Sequence, residues 1–209
     1  MNWSKIFSRI QPQTFLDIGA NEGNFTSNIL KFFPECKCLM LEPNPACREH
    51  LISVGQPFQI VAVSNSNGRG FLHVENSNPV ATGASLYKEN TQFYAPGKFR
   101  QTEVQLITLD SLNPFPNTEI DLIKIDTQGS ELDILQGGKL TIQRTKFLLL
   151  EVSLLEYNLN APLIDEVLDW TSSHNFNLCE IVNYHRLDKN QIFQLDVLLM
   201  RSSNLLDNL

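Results

Sequence analysis

The chain has 209 residues, 42% hydrophobic and 19% charged, with a formal net charge of -7. That length suits one domain with a full core and is short for two ordinary ones, and the composition belongs to a folded globular chain rather than a disordered one. The 16 lysines and arginines are scattered along an acidic sequence, which disfavours a nucleic-acid partner.

In chain order, Trp3, Ile6, Phe7 and Ile10 recur at helical spacing beside Lys5 and Arg9, predicting an amino-terminal helix within residues 1–13 laid over a sheet edge. An amphipathic membrane contact is the other reading of that turn. No signal-peptide pattern precedes it, and apolar runs such as 147–150 are too short to span a bilayer, so a cytoplasmic protein without stable membrane insertion is expected. Residues 14–18 form an apolar strand ending in a glycine turn, and Phe25, Ile29, Leu30 and Phe33 give 24–33 a helical period. A second strand over 37–41 leads to a helix over 45–54 with Asn44 as its N-cap, and a third strand spans 58–63. Cys36, Cys38, Cys47 and Cys179 form no CxxC pair or ligand array and read as reduced and structural.

After the turn Asn65-Ser66-Asn67-Gly68, strands are predicted over 70–75 and 104–108. Between them, residues 76–101 are rich in Asn, Pro, Gly and Ser and show no period. The stretch 76–103 is expected to serve as a lid or acceptor-binding loop. A strand over 120–125, a helix over 130–135 stopped by Gly137-Gly138, a strand over 146–152 and a helix over 163–174 follow. Strands over 177–182 and 192–200 then close the chain as a hairpin. This alternation predicts an α/β, doubly wound, mostly parallel sheet with an antiparallel end, in which ligands bind beyond the carboxyl ends of the strands.

That rule selects the motif DIGANEG, residues 17–23, where Asp17, Gly19, Asn21 and Gly23 lie at the first strand-to-helix turn. Glycines there permit unusual backbone angles and close ligand approach, and a helix N-terminus favours a carboxylate. Glu42 ends the second strand, where an acid accepts bonds from both ribose hydroxyls. A dinucleotide such as NAD makes the same ribose demand but normally uses G-x-G-x-x-G. Here the spacing is G-x-x-x-G with an acid before the turn, which tilts the balance to S-adenosylmethionine. Ala62, Val63 and Ser64, ending the third strand, are then placed to sandwich and bond the adenine.

The blocks DIGANEG, LEPNP, VAVSNSNG, TLDSL and IKIDTQGSELDILQGG together resemble the FkbM family of methyltransferases over residues 15–153. The resemblance implies a class I methyltransferase sheet of seven strands. It also implies methyl transfer from S-adenosylmethionine to a hydroxyl of a sugar, polyketide or related metabolite, with a sugar or glycoconjugate as acceptor partner. It places the donor pattern on Asp17, Gly19, Asn21, Gly23 and Glu42. The family's D-x-E-G-x-E block matches at Asp126 and Glu131, with Gln128 in place of the usual acid.

Asp126 is expected near the donor methyl, orienting the acceptor or accepting its proton, with a helix N-cap as the plainer role for it or for Ser130. Lys124, on the same strand face as Asp126, needs a partner, for which Glu151 and Asp17 are candidates. Asp126, Glu131 and Glu151 are the catalytic candidates and would also form an oxygen-rich Mg²⁺ site if a divalent ion is used. Ser85 and Tyr87 in the long loop either contact the acceptor or anchor the lid. His185 is either a base at the same mouth or a surface loop histidine. A dinucleotide oxidoreductase and a non-catalytic cofactor-binding module on the same fold stand as the alternatives.

Overall fold

A computed structural model describes residues 3–91, 94–187 and 189–204. The parts of the expected 1–13 and 76–103 segments that fall on residues 1, 2, 92 and 93 lie outside them, as do the side chains of Trp3 and Lys5. The first helix is α1 (Trp3–Ile10), followed by β1 (Thr14–Ile18), α2 (Asn24–Phe32) and β2 (Lys37–Glu42). A 3-10 turn at Pro45–Cys47 leads into α3 (Arg48–Val54), and β3 (Phe58–Ile60) and β4 (Ala62–Val63) come next. The Asn44 side chain accepts from Ala46 N at 3.1 Å, the cap its position predicts.

The expected 58–63 strand is therefore two strands in different sheets. Val61 N still donates to Glu42 O at 3.0 Å, but Ala62 and Val63 pair with a strand outside the main sheet. That partner is β6 (Phe99–Ile107), whose other edge pairs antiparallel with β5 (Gly68–Glu75). β6 begins earlier than the 104–108 expected, since its first half is a largely exposed run with no alternation on a small sheet. The remaining elements are α4 (Leu109–Leu112), β7 (Ile120–Ile125), α5 (Glu131–Gln136), α6 (Lys139–Gln143), β8 (Thr145–Ser153), α7 (Ile164–Ser173), β9 (Phe176–Arg186) and β10 (Ile192–Arg201).

The seven-stranded sheet has the order β3-β2-β1-β7-β8-β10-β9. All its pairings are parallel except the two made by β10, so the antiparallel strand is the carboxy-terminal one, as expected. Strands covered on both faces read as apolar runs, and alternate residues divide between two clusters. Leu16, Ile18, Leu148 and Leu150 face Ile134 and Leu135 of α5 and Val167 of α7. Phe15, Phe147, Leu149 and Leu198 face the other way, toward Ile29 of α2 and Ile6, Phe7 and Ile10 of α1. The amino-terminal helix thus covers a sheet face rather than an edge. All four cysteines are free, and among the described residues no helix is long and apolar enough to cross a membrane.

One partly buried carboxylate pins three strands at the amino end of this sheet. Asp121 Oδ2 accepts from Gln13 N at 2.9 Å and Thr14 N at 3.0 Å, while Oδ1 receives Lys146 Nζ at 2.8 Å. Burial pushes its carboxyl up, but Lys146 and the two N–H groups outweigh that and hold it below the ordinary aspartate value. A depressed pKa contributes stability above the unfolded value of about 3.9 and loses it as pH falls through the folded value. Asp121→Asn should therefore cost about 1–2 kcal/mol at neutral pH. Urea unfolding at neutral and acid pH should show that difference shrinking in acid.

Candidate active site

The carboxyl ends of β2, β1 and β7 converge, and backbone bonds lock the loops that leave them. Gly19 N and Ala20 N both donate to Leu41 O, at 2.9 and 3.2 Å, and Asp126 N donates to Ile18 O at 3.1 Å. Gly19 has φ +76°, and a Cβ there would fall 1.9 Å from the Asp126 carbonyl oxygen. The glycine is required first by this backbone crossing, and its exposed side then borders a cleft.

That cleft holds about 490 Å³ of space, counted out into the open solvent at its mouth. Gly19, Asn21, Glu42, Ala62, Val63 and Asp126 line it, all of them singled out from sequence, joined by Leu72, Leu86 and Ser130. Glu42 accepts from Asn21 N at 2.7 Å and Asn44 N at 2.8 Å, one bond to each carboxylate oxygen. Burial pushes its carboxyl up to about 7, with those two N–H groups opposing the rise. Two amides fasten the long loop over the cleft: Asn21 Nδ2 donates to Val80 O at 3.1 Å and Asn44 Nδ2 to Pro79 O at 2.6 Å.

Three residues expected on this wall are elsewhere. Asp17 is fully buried, accepts from Thr26 Oγ1 at 2.6 Å, and has its other oxygen 3.6 Å from Lys124 Nζ. Burial raises its pKa, with Lys124 and Thr26 opposing. Gly23 has φ +77°, and a Cβ there would meet Val54 Cγ2 at 2.6 Å, so it serves the seating of α2. Ser64 is buried behind the wall, its N–H bonded to Ile107 O at 3.0 Å and its carbonyl pressed against Gly137.

A second, larger cleft of about 1080 Å³ adjoins the first, bordered by Asp126, Gln128, Glu151, Tyr157, His185 and Gln194. Asp126 borders both. Its carboxylate is 3.0 Å from Lys124 Nζ and 36% exposed, so Lys124 is shared between Asp126 and Asp17 rather than paired with Glu151. Burial opposes the lysine's charge, but Asp126 and then Asp17 outweigh it and raise the ammonium's pKa. The Gln128 amide donates to Glu151 Oε2 and accepts from Gln194 Nε2 at 3.3 Å. Burial, then the neighbouring Asp126, Glu131 and Asp196, push the Glu151 carboxyl up to about 10.

The other predicted site residues take different parts. Glu131 turns inward: Thr127 N, Thr127 Oγ1 and Gly129 N all donate to its carboxylate, at 3.0–3.2 Å, so it clamps its own loop. Burial raises its pKa against those donors. The expected metal set of Asp126, Glu131 and Glu151 is therefore not formed. Among the described residues Glu151 instead meets His185 and Asp196, with one ligand-type atom of each lying within 4.8 Å of the others.

His185 lies on β9, not in a loop, with Nε2 3.4 Å from both Asp196 oxygens and 3.7 Å from Glu151 Oε1. Ser85 Oγ donates to Gln128 O at 2.7 Å and Tyr87 OH to Asp133 Oδ2 at 2.8 Å, so both anchor the loop rather than line either cleft. Asp196 was missed from sequence. Its signal was a charge inside the apolar run of β10, and register sets it opposite Glu151.

A model of the methyltransferase FkbM domain matches residues 17–178. The 2-O-methyltransferase NoeI of Sinorhizobium fredii (strain NBRC 101917 / NGR234) is 32% identical over 152 residues, 66% of this chain and 62% of that protein. The chain thus spans less than two thirds of the length of the curated relative it matches. Among solved structures, magnesium protoporphyrin IX methyltransferase of Synechocystis PCC 6803 aligns over 90% of this chain and 69% of its own, with 6% identity and a TM-score of 0.49. A precorrin-6y C5,15-methyltransferase of Geobacter metallireducens GS-15 aligns over 90% and 80%, with 14% identity and a TM-score of 0.47.

Lys124 is the cation against which two carboxylates are set, one of them fully buried. Removing one partner of such a group strands the other's charge, at a cost of about 3–5 kcal/mol. Lys124→Met, which keeps the apolar stem, should lower stability by about that much in urea unfolding at neutral pH.

Proposed function

The chain belongs to the methyltransferase FkbM domain family, and from that premise we propose that it transfers a methyl group from S-adenosylmethionine to a hydroxyl of a small acceptor, a sugar or sugar-bearing metabolite. The observation that carries this reading is the position of Asp126, a residue that borders both clefts at once. S-adenosylmethionine, when bound, supplies an electrophilic methyl carbon on a sulfonium. The residues of the first cleft suit such a nucleoside. Glu42 retains carboxylate lone pairs for ribose hydroxyls beyond the two its N–H partners use, and Ala62, Val63, Leu72 and Leu86 offer an apolar seat to a base.

In the second cleft Asp126 accepts the hydrogen bond of the acceptor hydroxyl and, at transfer, its proton. Lys124 fixes that carboxylate from behind, which keeps the oxygen aimed without a search over rotamers. The amides of Gln128 and Gln194 and the ring of His185 present donors and acceptors suited to further hydroxyls, and Tyr157 and Phe193, with ring centroids 5.0 Å apart, suit the apolar face of a sugar ring. The 2-O-methyltransferase relative is consistent with an oxygen acceptor. Against a dinucleotide stands the Asn21 N–H, which already points to the Glu42 carboxylate and is not free for a pyrophosphate.

Calorimetric titration with S-adenosylhomocysteine and with NAD tests the donor; binding of NAD alone would overturn the proposal. Asp126→Asn should lower turnover by about 10²–10⁴ while leaving S-adenosylhomocysteine affinity unchanged, and unaltered turnover would remove Asp126 from the chemistry.

Glu42 gives a separate expectation. Below about 7 its carboxyl is protonated, and that proton must leave before both oxygens can accept ribose hydroxyls. Affinity for S-adenosylhomocysteine should therefore fall about tenfold per pH unit below that value and level off above it. Titrations on either side of pH 7 should show that slope in the wild type and a flat, weaker response in Glu42→Gln.

A further inference from the structure

Ser130 opens α5 as its N-cap residue, yet its side chain makes no cap hydrogen bond. Serine at that position ordinarily bonds a free N–H of the first turn. Here the residue is 2% exposed, and its Oγ has no hydrogen-bond partner among the described residues. The N–H groups of the adjoining loop are taken by Glu131, which receives Thr127 and Gly129. Roughly 90% or more of buried polar groups in folded proteins are bonded, and one left alone costs about 1–3 kcal/mol. A hydroxyl kept in that state against the fold's interest points to a partner that arrives from outside.

The place of the hydroxyl says what that partner is. Ser130 lines the donor cleft, on the β7 side of β1, while Glu42 stands on the β2 side, so the two flank the cleft. Asp126 and Thr127 share the lining on Ser130's own loop, and apolar residues of the long loop face the same cleft. Ser85 and Tyr87 bond to Gln128 and Asp133, which draws residues 84–86 alongside the start of α5. Ala84 and Leu86 line the cleft there and belong to the cluster formed by Ala62 and Leu72. Thr127 also lines the cleft, but its hydroxyl is already bonded to Glu131, so Ser130 offers a buried, unpartnered hydroxyl near the apolar side chains of Ala62, Leu72, Ala84 and Leu86. Such a place fits a flat heterocycle, whose faces need apolar walls and whose edge needs one group able to donate or accept.

We propose that the Ser130 hydroxyl is the hydrogen-bonding contact to the edge of the donor's nucleobase. This rests on the donor reading given above and adds to it a residue that acts in binding, without touching the reacting atoms. Ser130→Ala removes a group with no partner in the ligand-free fold, so the melting temperature of the ligand-free variant should equal or exceed that of the wild type. Affinity should fall about fivefold to tenfold, the size of one net hydrogen bond, and by the same factor for S-adenosylhomocysteine and for 5′-methylthioadenosine, which lacks the amino-acid end. Ser130→Thr, which keeps the hydroxyl, should lose less.

Calorimetric titration of the full chain with both molecules decides the matter. Equal affinities in wild type and Ser130→Ala overturn this inference and leave the donor reading standing. A loss seen with S-adenosylhomocysteine but not with 5′-methylthioadenosine moves the contact to the amino-acid end and overturns the base assignment. A ligand-free variant melting well below the wild type assigns the hydroxyl to the fold and likewise overturns it. Failure of the wild type to bind either molecule overturns the donor reading, and this inference with it.

Discussion

The crossing of β1 and β7 at their carboxyl ends sets the terms for everything built above the sheet. Asp126 N donates to Ile18 O, and Gly19 passes so close to the Asp126 carbonyl that no side chain fits between them. Two loops that would otherwise splay are thereby held in close backbone contact. The same crossing brings Asp17 and Lys124, paired in register, beneath it. A lysine buried in β7 is tolerated because it has two carboxylates within 3.6 Å, one below and one at the cleft. Geometry at the surface is thus fixed by a buried charge arrangement and one absent Cβ.

Strands were legible in the sequence wherever both faces are covered, because a short uninterrupted apolar run between turns suits a buried strand better than any exposed element. Residues 120–125 match β7 at both ends even though Asp121 and Lys124 interrupt their apolar run. The run 58–63 misled for the same reason: nothing in Phe-Gln-Ile-Val-Ala-Val marks the residue at which the chain leaves one sheet for another, since Val61 changes partners without a turn. The four-residue α4 and five-residue α6 were invisible because one turn of helix leaves no period to detect. β9 runs beyond the expected 177–182 through Asn183, His185 and Arg186, an edge strand whose polar end resembles a loop in composition. That difference mattered, since it moved His185 from a loop onto the floor of a cleft.

At the site, sequence motifs identified which positions are constrained more readily than what constrains them. DIGANEG contains Gly19 and Asn21 on the cleft wall, but Asp17 and Gly23 answer to Thr26, Lys124 and Val54 inside the protein. In the Asp126 block, Glu131 is held by the N–H and O–H groups of its own loop rather than turned to a ligand. A carboxylate facing a ligand and one facing three local N–H and O–H groups look alike in a string of letters. Asp196 shows the converse: a charge within Ile-Phe-Gln-Leu-Asp-Val-Leu is an evident oddity, but only the antiparallel register reveals that it stands across from Glu151. Like charges directly opposite are unfavourable in a sheet, so that pairing persists here with Glu151 pushed toward its protonated form.

Gln128 then has a physical reading as well as a departure from the family pattern. Its backbone is left-handed, with φ +58°, a conformation that costs a non-glycine residue about 1–2 kcal/mol. Ser85 and Asn158 hold it there by donating to its carbonyl, at 2.7 and 2.6 Å. An acid at this position would add another carboxylate beside Glu151, Asp126 and Asp196. The amide donates to Glu151 while accepting from Gln194, so a continuous chain of hydrogen bonds runs from β10 to β8 along the cleft floor. A carboxylate could complete that chain only by holding a proton, whereas an amide carries its donor and its acceptor at every pH. The substitution therefore exchanges a charge for an order of donors and acceptors that does not titrate. It leaves Asp126 as the exposed carboxylate held by Lys124 at the junction of the two clefts.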